Sequence, residues 1–160
     1  MSPPRTLPGT GGARIFFDPE PRQPGQVFLF ASHASLGLLP TDEIVETGPW
    51  YKVPYGRRVV RDVTRRDEMT WDEVLVYSSN IGMTKALERV SFEQVHGAIL
   101  DFGFGSRTNI GLPGETGGLV TSLGNWSDYT QTSVSFGYEV AVTPVQMARA
   151  FTVFARSHDQ

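Results

Sequence analysis

Residues 77–83, Tyr-Ser-Ser-Asn-Ile-Gly-Met, constrain this chain most, because they form a polar segment between two runs with helical patterns. Upstream, Thr70 and Glu73 have the spacing of a capping box, so a helix is expected to begin just after Thr70. The polar residues then fall at a helix end, where side chains are held firmly and still reach a cleft. There Ser78 offers a hydroxyl that can relay a proton, and Asn80 offers an amide that both donates and accepts hydrogen bonds.

A Ser-x-Asn triplet is also an ordinary helix-capping pattern, so its surroundings decide between a structural and a functional interpretation. Five segments of the sequence provide this context, at residues 73–83, 102–105, 112–115, 135–138 and 142–150. In this order and spacing they resemble the transpeptidase domain of high-molecular-weight, class B-like penicillin-binding proteins. The resemblance covers about residues 70 to 156. It implies an α+β fold, a partial penicillin-binding protein transpeptidase (serine β-lactamase-like) fold, represented mostly by its helical part.

The serine-acyl chemistry of this family uses three motifs, Ser-x-x-Lys, Ser-x-Asn and Lys-Thr-Gly. Only the middle motif is present in the 160 residues, at positions 78–80. The chain has two lysines, Lys52 and Lys85. Ser-x-x-Lys requires a serine three residues before a lysine, where the chain has Pro49 and Gly82. Lys-Thr-Gly requires a threonine directly after a lysine, where the chain has Val53 and Ala86. Neither lysine-containing motif therefore exists in any register of this sequence.

Residues 24–37 predict a largely buried helix, because a Pro-Gly turn precedes a run that is apolar on most faces and Gly37 is placed as a C-cap. The resemblance implies that this is the central helix, whose first turn carries Ser-x-x-Lys in the family. Here those positions hold Gln26 and Leu29. A carboxamide is not a nucleophile, and leucine has no nitrogen that accepts a proton.

In the family the motif serine attacks the D-Ala-D-Ala amide of a peptidoglycan stem peptide, or the β-lactam that mimics it. The resemblance implies that Ser78 is the proton relay and Asn80 the ligand of the substrate amide, while the nucleophile is not found. Without a nucleophile, both residues would contribute only to binding of stem peptide or β-lactam, and this binding is expected to be weak or lost. Whether the chain is an enzyme stays open at this point.

Three interpretations follow. The chain is a truncated, catalytically silent penicillin-binding protein homologue of cell wall synthesis and cell division, a pseudoenzyme. Alternatively, it is a fragment of an active D,D-transpeptidase, or a non-enzymatic module that binds cell-wall peptide or a division partner. A partial domain also leaves an apolar face that a protein partner is expected to cover.

Composition excludes several other functions. A formal charge of −3 and the absence of a basic stripe disfavour nucleic-acid binding. With no cysteine and three dispersed histidines, neither a metal site nor another cofactor is expected. No export signal or membrane-spanning run is visible, although the resembled family is extracytoplasmic and membrane-anchored.

The remaining sequence predicts one partial transpeptidase-like domain over residues 15–160, after a disordered lead-in over residues 1–14 that is rich in proline and glycine. A small hairpin is expected between residues 50 and 61, and a second capping box at Ser91 and Gln94. The last helix is expected to begin after Thr143. Its apolar face is predicted to contain Val145, Ala148, Phe151 or Thr152, and Ala155.

Overall fold

The computed structural model describes residues 15–16, 24–54 and 57–156. The helices in this part of the chain are α1 (Pro24–Ser35), α2 (Trp71–Val76), α3 (Asn80–Leu87), α4 (Phe92–Asp101), α5 (Asp128–Ser135) and α6 (Pro144–Arg156), with a short 3₁₀ turn at Leu123–Asn125. The predicted lead-in, residues 1–14, lies outside the described residues. The mixture of helices and short strands confirms the predicted α+β class.

The strands are short and antiparallel. They are β1 (Ile15–Phe16), β2 (Ile44–Glu46), β3 (Tyr51–Lys52), β4 (Val59–Val60), β5 (Glu68–Thr70), β6 (Leu119–Val120) and β7 (Val140–Val142). β7 lies between β1 and β6 in a three-stranded sheet, whereas β2 pairs with β5 and β3 pairs with β4. The β3–β4 pair confirms the predicted hairpin.

Helix α1 occupies the centre of the helical layer and contacts α2, α3 and α4. Gln26, Phe28, Leu29 and His33 are all buried on it, which confirms the prediction of a largely buried helix. The helix begins at Pro24, within the predicted Pro-Gly turn, because the fixed φ of proline suits a first helical position.

Both predicted capping boxes are present. Thr70 and Glu73 cap α2 reciprocally, and Ser91 and Gln94 do the same for α4. Each box satisfies backbone N–H groups that would otherwise lack a partner at the helix start. The starts of α2 and α4 therefore follow from local sequence.

Helix α6 begins where predicted, but its predicted apolar face is only partly correct: Val145 is half-buried and the Phe151 ring lies 4.9 Å from that of Phe28. Met147 and Ala150 are buried, whereas Ala148, Phe151 and Ala155 are exposed. The helix is rotated because a polar residue, Gln146, also faces inward and is 1% exposed.

Two hydrogen bonds explain the burial of Gln146. Its Nε2 donates to the carbonyl oxygens of Ser106 and Gly117, each at 2.8 Å. These bonds attach the glycine-rich loop to α6 and compensate for the desolvation of the amide. A hydropathy pattern counts glutamine as a surface residue and misses this orientation.

None of the helices in the described part of the chain has the length and apolar character that crossing a bilayer requires.

Candidate functional site

The Ser-x-Asn triplet forms the tight turn between α2 and α3, as the sequence predicts. Ser78 has a φ of +52°, a left-handed conformation that is uncommon for residues other than glycine. Ser79 is the N-cap of α3, and Asn80 is the first residue of that helix. The polar turn is thus fixed at both ends by helices.

The structure brings Gln26 against both predicted site residues. The Ser78 hydroxyl donates to Gln26 Oε1 at 2.5 Å. Gln26 Nε2 donates to the Ser135 carbonyl oxygen at 3.2 Å and, over a longer 3.4 Å, to Asn80 Oδ1. Since Gln26 is only 3% exposed, its carboxamide fills the space between α1, the turn and the end of α5.

The side chain one helical turn after Gln26 faces an apolar region. Leu29 is 6% exposed and belongs to the main hydrophobic cluster. It also lines a small pocket, whose other walls are Gly25, Phe28, Ile99, Phe102, Phe104, Val134, Gly137 and Val140. The surroundings of Leu29 therefore match its aliphatic side chain.

Sequence reasoning missed Asp62, whose carboxylate accepts hydrogen bonds from the turn and from the start of α3. Asp62 Oδ2 accepts from the Ser79 hydroxyl at 2.6 Å, and Asp62 Oδ1 accepts from the Ile81 amide at 2.9 Å. Ser79 Oγ in turn accepts from the Gly82 amide at 2.9 Å. A carboxylate at a helix N-terminus is electrostatically favourable, so Asp62 orders the start of α3.

Sequence reasoning also missed the contribution of α5. Ser135 is fully buried, and its hydroxyl donates to the Thr132 carbonyl oxygen at 2.7 Å and lies 3.1 Å from Thr84 Oγ1. This pairing holds α5 against α3 and directs the Ser135 carbonyl oxygen toward Gln26. The repeated serines at positions 133 and 135 were a visible signal, although their pairing depends on distant residues.

The site offers amides and hydroxyls as its polar groups at the contact between α1, the turn and α5. These groups can hold an amide by hydrogen bonds, as they hold the Gln26 side chain. Among the described residues, no group of three or more His, Asp or Glu side chains is arranged to hold a metal ion. The buried His33 lies two helical turns further along α1, where desolvation lowers its pKa.

Comparison with known proteins identifies the family of the chain. Residues 27–158 match the sequence model of the family described as "Penicillin binding protein transpeptidase domain". The chain belongs to the penicillin-binding protein transpeptidase family. This result confirms the resemblance seen in the motifs.

Curated relatives of the family align with most of this chain. It is 33% identical over 136 residues to the probable peptidoglycan D,D-transpeptidase PbpC of Pseudomonas aeruginosa, covering 83% of this chain and 24% of PbpC. It is 35% identical over 115 residues to the peptidoglycan D,D-transpeptidase FtsI of Escherichia coli K12, covering 72% of this chain and 19% of FtsI. The chain thus spans about a quarter or less of the length of these relatives.

Solved structures confirm the fold. The transpeptidase domain of Burkholderia pseudomallei penicillin-binding protein 3 superposes with a TM-score of 0.81 at 25% identity, covering 90% of this chain and 42% of that chain. Penicillin-binding protein 3 of Mycobacterium tuberculosis, complexed with aztreonam, gives a TM-score of 0.79 at 27% identity, covering 90% of this chain and 31% of that chain. The described residues therefore adopt part of a penicillin-binding protein transpeptidase fold.

Proposed function

We propose that this chain is a catalytically silent transpeptidase-family pseudoenzyme of peptidoglycan synthesis. The observation that carries the proposal is the position of Gln26, whose buried carboxamide contacts Ser78, Asn80 and the Ser135 carbonyl oxygen. It is the residue that the family resemblance aligns with the attacking serine. Peptidoglycan transpeptidase relatives support the cell-wall setting.

Silence follows from the chemistry of acyl transfer. That reaction needs a hydroxyl or thiol nucleophile and a neighbouring base that takes its proton. At positions 26 and 29 the chain has a carboxamide and an isobutyl group, one helical turn apart. Neither can attack an amide carbonyl or accept a proton at neutral pH, so no acyl-enzyme is expected.

Ser78 and Asn80 are assigned as the remnant of the family's Ser-x-Asn motif. In an active relative of this design, Ser78 would relay a proton and Asn80 would hold a substrate amide. Here the Gln26 amide engages both side chains. We expect this internal amide to compete with stem peptide and with β-lactams, so any binding at the site is weak.

A second candidate function is non-enzymatic recognition of cell-wall peptide. The hydroxyl of Ser78 and the amide of Asn80 favour it, because they already hold an amide in this structure. Reversible binding of a D-Ala-D-Ala stem peptide without hydrolysis, lost in Asn80→Ala, would support this function. The same proposal includes a location outside the cytoplasmic membrane and a protein partner that covers an exposed apolar face.

Labelling with fluorescent penicillin tests catalytic silence. The folded 160-residue chain is incubated with the probe, denatured and examined for covalent fluorescence, with Escherichia coli FtsI as the positive control. We expect a labelled band for FtsI and none for this chain. The remaining interpretation, a fragment of an active enzyme with Gln26 and Leu29 as local defects, predicts labelling of Gln26→Ser/Leu29→Lys once neighbouring sequence is supplied.

A further inference from the structure

The β3–β4 hairpin has two different faces, because successive side chains of a strand point to opposite sides. Its inner face packs on the domain. Arg58 donates to Ser133 Oγ at 2.8 Å, Val60 is buried in an apolar cluster, and Asp62 accepts from the Ser79 hydroxyl. Inner-face residues therefore attach the hairpin to α5 and to the turn before α3.

The outer face of the hairpin carries cations and apolar side chains. Arg57, Val59 and Arg61 alternate with the inner-face residues and are exposed. On the neighbouring strand, Lys52 pairs with Val59, and the exposed Trp50 precedes the strand. These five residues form what we call the hairpin face.

The three cations of the hairpin face are not neutralised by carboxylates of the described chain. In residues 24–54 and 57–156, ion pairs join Arg65 to Asp67 and Arg89 to Glu43, and none involves the hairpin face. Three of the chain's 14 lysine and arginine residues lie on this face, although the chain as a whole has a formal charge of −3. Lys52 lies five positions before Arg57 in the sequence, and strand pairing places it on the same face as Arg57 and Arg61.

We propose that the hairpin face is a docking surface for an extended acidic peptide whose surface-facing side chains, at every second residue, are acidic, apolar and acidic in turn. Alternate residues of a strand lie about 7 Å apart, and an extended peptide has the same spacing. Guanidinium groups bind carboxylates through paired hydrogen bonds, which gives specificity as well as attraction. Trp50 and Val59 supply apolar contact between the charged positions.

An extended peptide fits this surface better than a lipid headgroup layer does. The cations occupy defined positions on and beside the hairpin strands, which selects a register in a peptide and has no counterpart in a fluid bilayer. The hairpin is also joined to the polar turn, since Asn80 Nδ2 donates to the Arg61 carbonyl oxygen at 3.4 Å. A docked peptide therefore lies beside the Ser78–Asn80 turn, whether or not that turn binds a ligand of its own.

Trp50 provides an intrinsic reporter of docking. It is 54% exposed, whereas Trp71 and Trp126 are buried at 1% and 8% exposure. Acrylamide quenching of the intact chain thus reports mainly on Trp50. The probe is the acetylated and amidated peptide Glu-Ser-Val-Ser-Glu, whose two glutamates and valine share one face when it is extended, with Gln-Ser-Val-Ser-Gln as the uncharged control.

We expect the Glu peptide, and not the Gln peptide, to reduce acrylamide quenching saturably and to bind more weakly as salt is raised. Arg57→Gln/Arg61→Gln should weaken binding about fivefold, the change expected if each guanidinium contributes as much as an exposed ion pair. The matched variant Arg107→Gln/Arg149→Gln removes two exposed arginines elsewhere and should change the affinity less than about twofold. Thermal melts verify that both double variants are folded.

Three results would overturn the proposal. These are equal binding of the Glu and Gln peptides, equal losses in the two double variants, or absence of saturable Glu-peptide binding at low salt. Vesicles containing about one third phosphatidylglycerol are measured in parallel. If the vesicles protect Trp50 and the Glu peptide does not, the surface faces a membrane and the acidic-peptide assignment is wrong.

Discussion

The close approach of α2 and α3 at Gly82 is the contact that shapes the polar turn, and it can be tested by substitution. A Cβ on Gly82 would lie 2.4 Å from Val74 Cγ2 and 2.6 Å from Val74 Cγ1. Val74 is fully buried, so it has little room to move. We therefore expect Gly82→Ala to push α3 away from α2 and disturb the intervening turn.

The magnitude combines two opposing effects. Overpacking a core costs about 1–3 kcal/mol, while replacing glycine by alanine in a helix gains up to about 1 kcal/mol. Gly82→Ala should thus lower the free energy of unfolding by about 1–2 kcal/mol. That loss corresponds to roughly 3–6 °C in melting temperature for a chain of this size.

Two variants separate the clash from helix propensity. Gly97 lies inside α4, where a Cβ would meet no atom within 4 Å, so Gly97→Ala should stabilise the chain by up to about 1 kcal/mol. Val74→Ala removes both clashing methyl groups and leaves the Cβ at position 74, 3.1 Å away, as the nearest atom. In that background Gly82→Ala should be neutral or stabilising, a coupling of about 2 kcal/mol.

Urea unfolding followed by circular dichroism gives the free energy of unfolding of the parent chain, Gly82→Ala, Val74→Ala and the double variant. The Gly97→Ala control is measured in the same way. Additive effects of Gly82→Ala and Val74→Ala would refute the close-packing argument. So would a Gly82→Ala variant as stable as Gly97→Ala. Agreement would establish that the turn is held by helix packing as well as by its hydrogen bonds.

Three further predictions concern titratable groups. Hydrogen bonding to Arg89 lowers the pKa of Glu43 to about 2. In urea titrations, the decrease in unfolding free energy caused by Glu43→Gln should therefore be largest above pH 4.5 and become smaller toward pH 2. Burial raises the pKa of Glu88, because the ionised carboxylate is poorly solvated in the folded chain. Glu88→Gln keeps an acceptor for the Tyr51 hydroxyl and should therefore raise the melting temperature at pH 7.5 but not at pH 4. Burial lowers the pKa of His33, so the stability of His33→Leu relative to the parent should improve from pH 7 to pH 5; a constant difference would contradict this charge argument.

Features set by neighbouring residues could be predicted from the sequence. The capping boxes that start α2 and α4 each depend on two residues three positions apart, so pattern alone located them. The central burial of α1 followed from its apolar composition on most faces. The family resemblance added the two positions, Gln26 and Leu29, at which the chain lacks the serine and lysine of the family motif.

Features that depend on distant residues could not be predicted. Asp62 holds Ser79 and the start of α3 across 17 residues of sequence, and nothing local to either residue indicates this bond. The rotation of α6 depends on Gln146, which binds backbone carbonyls up to 40 positions away. Placement of the Gln26 amide against Ser78, 52 positions away, likewise required the folded chain.

The central claim is that the chain cannot form a covalent acyl intermediate, and intact-protein mass spectrometry tests it most directly. The folded chain is incubated with excess benzylpenicillin, and its mass is recorded over several hours beside that of an active transpeptidase. The account predicts an unchanged mass for this chain and an acyl adduct on the active enzyme. An adduct of one penicillin that maps to a serine of this chain, Ser78 above all, would contradict it.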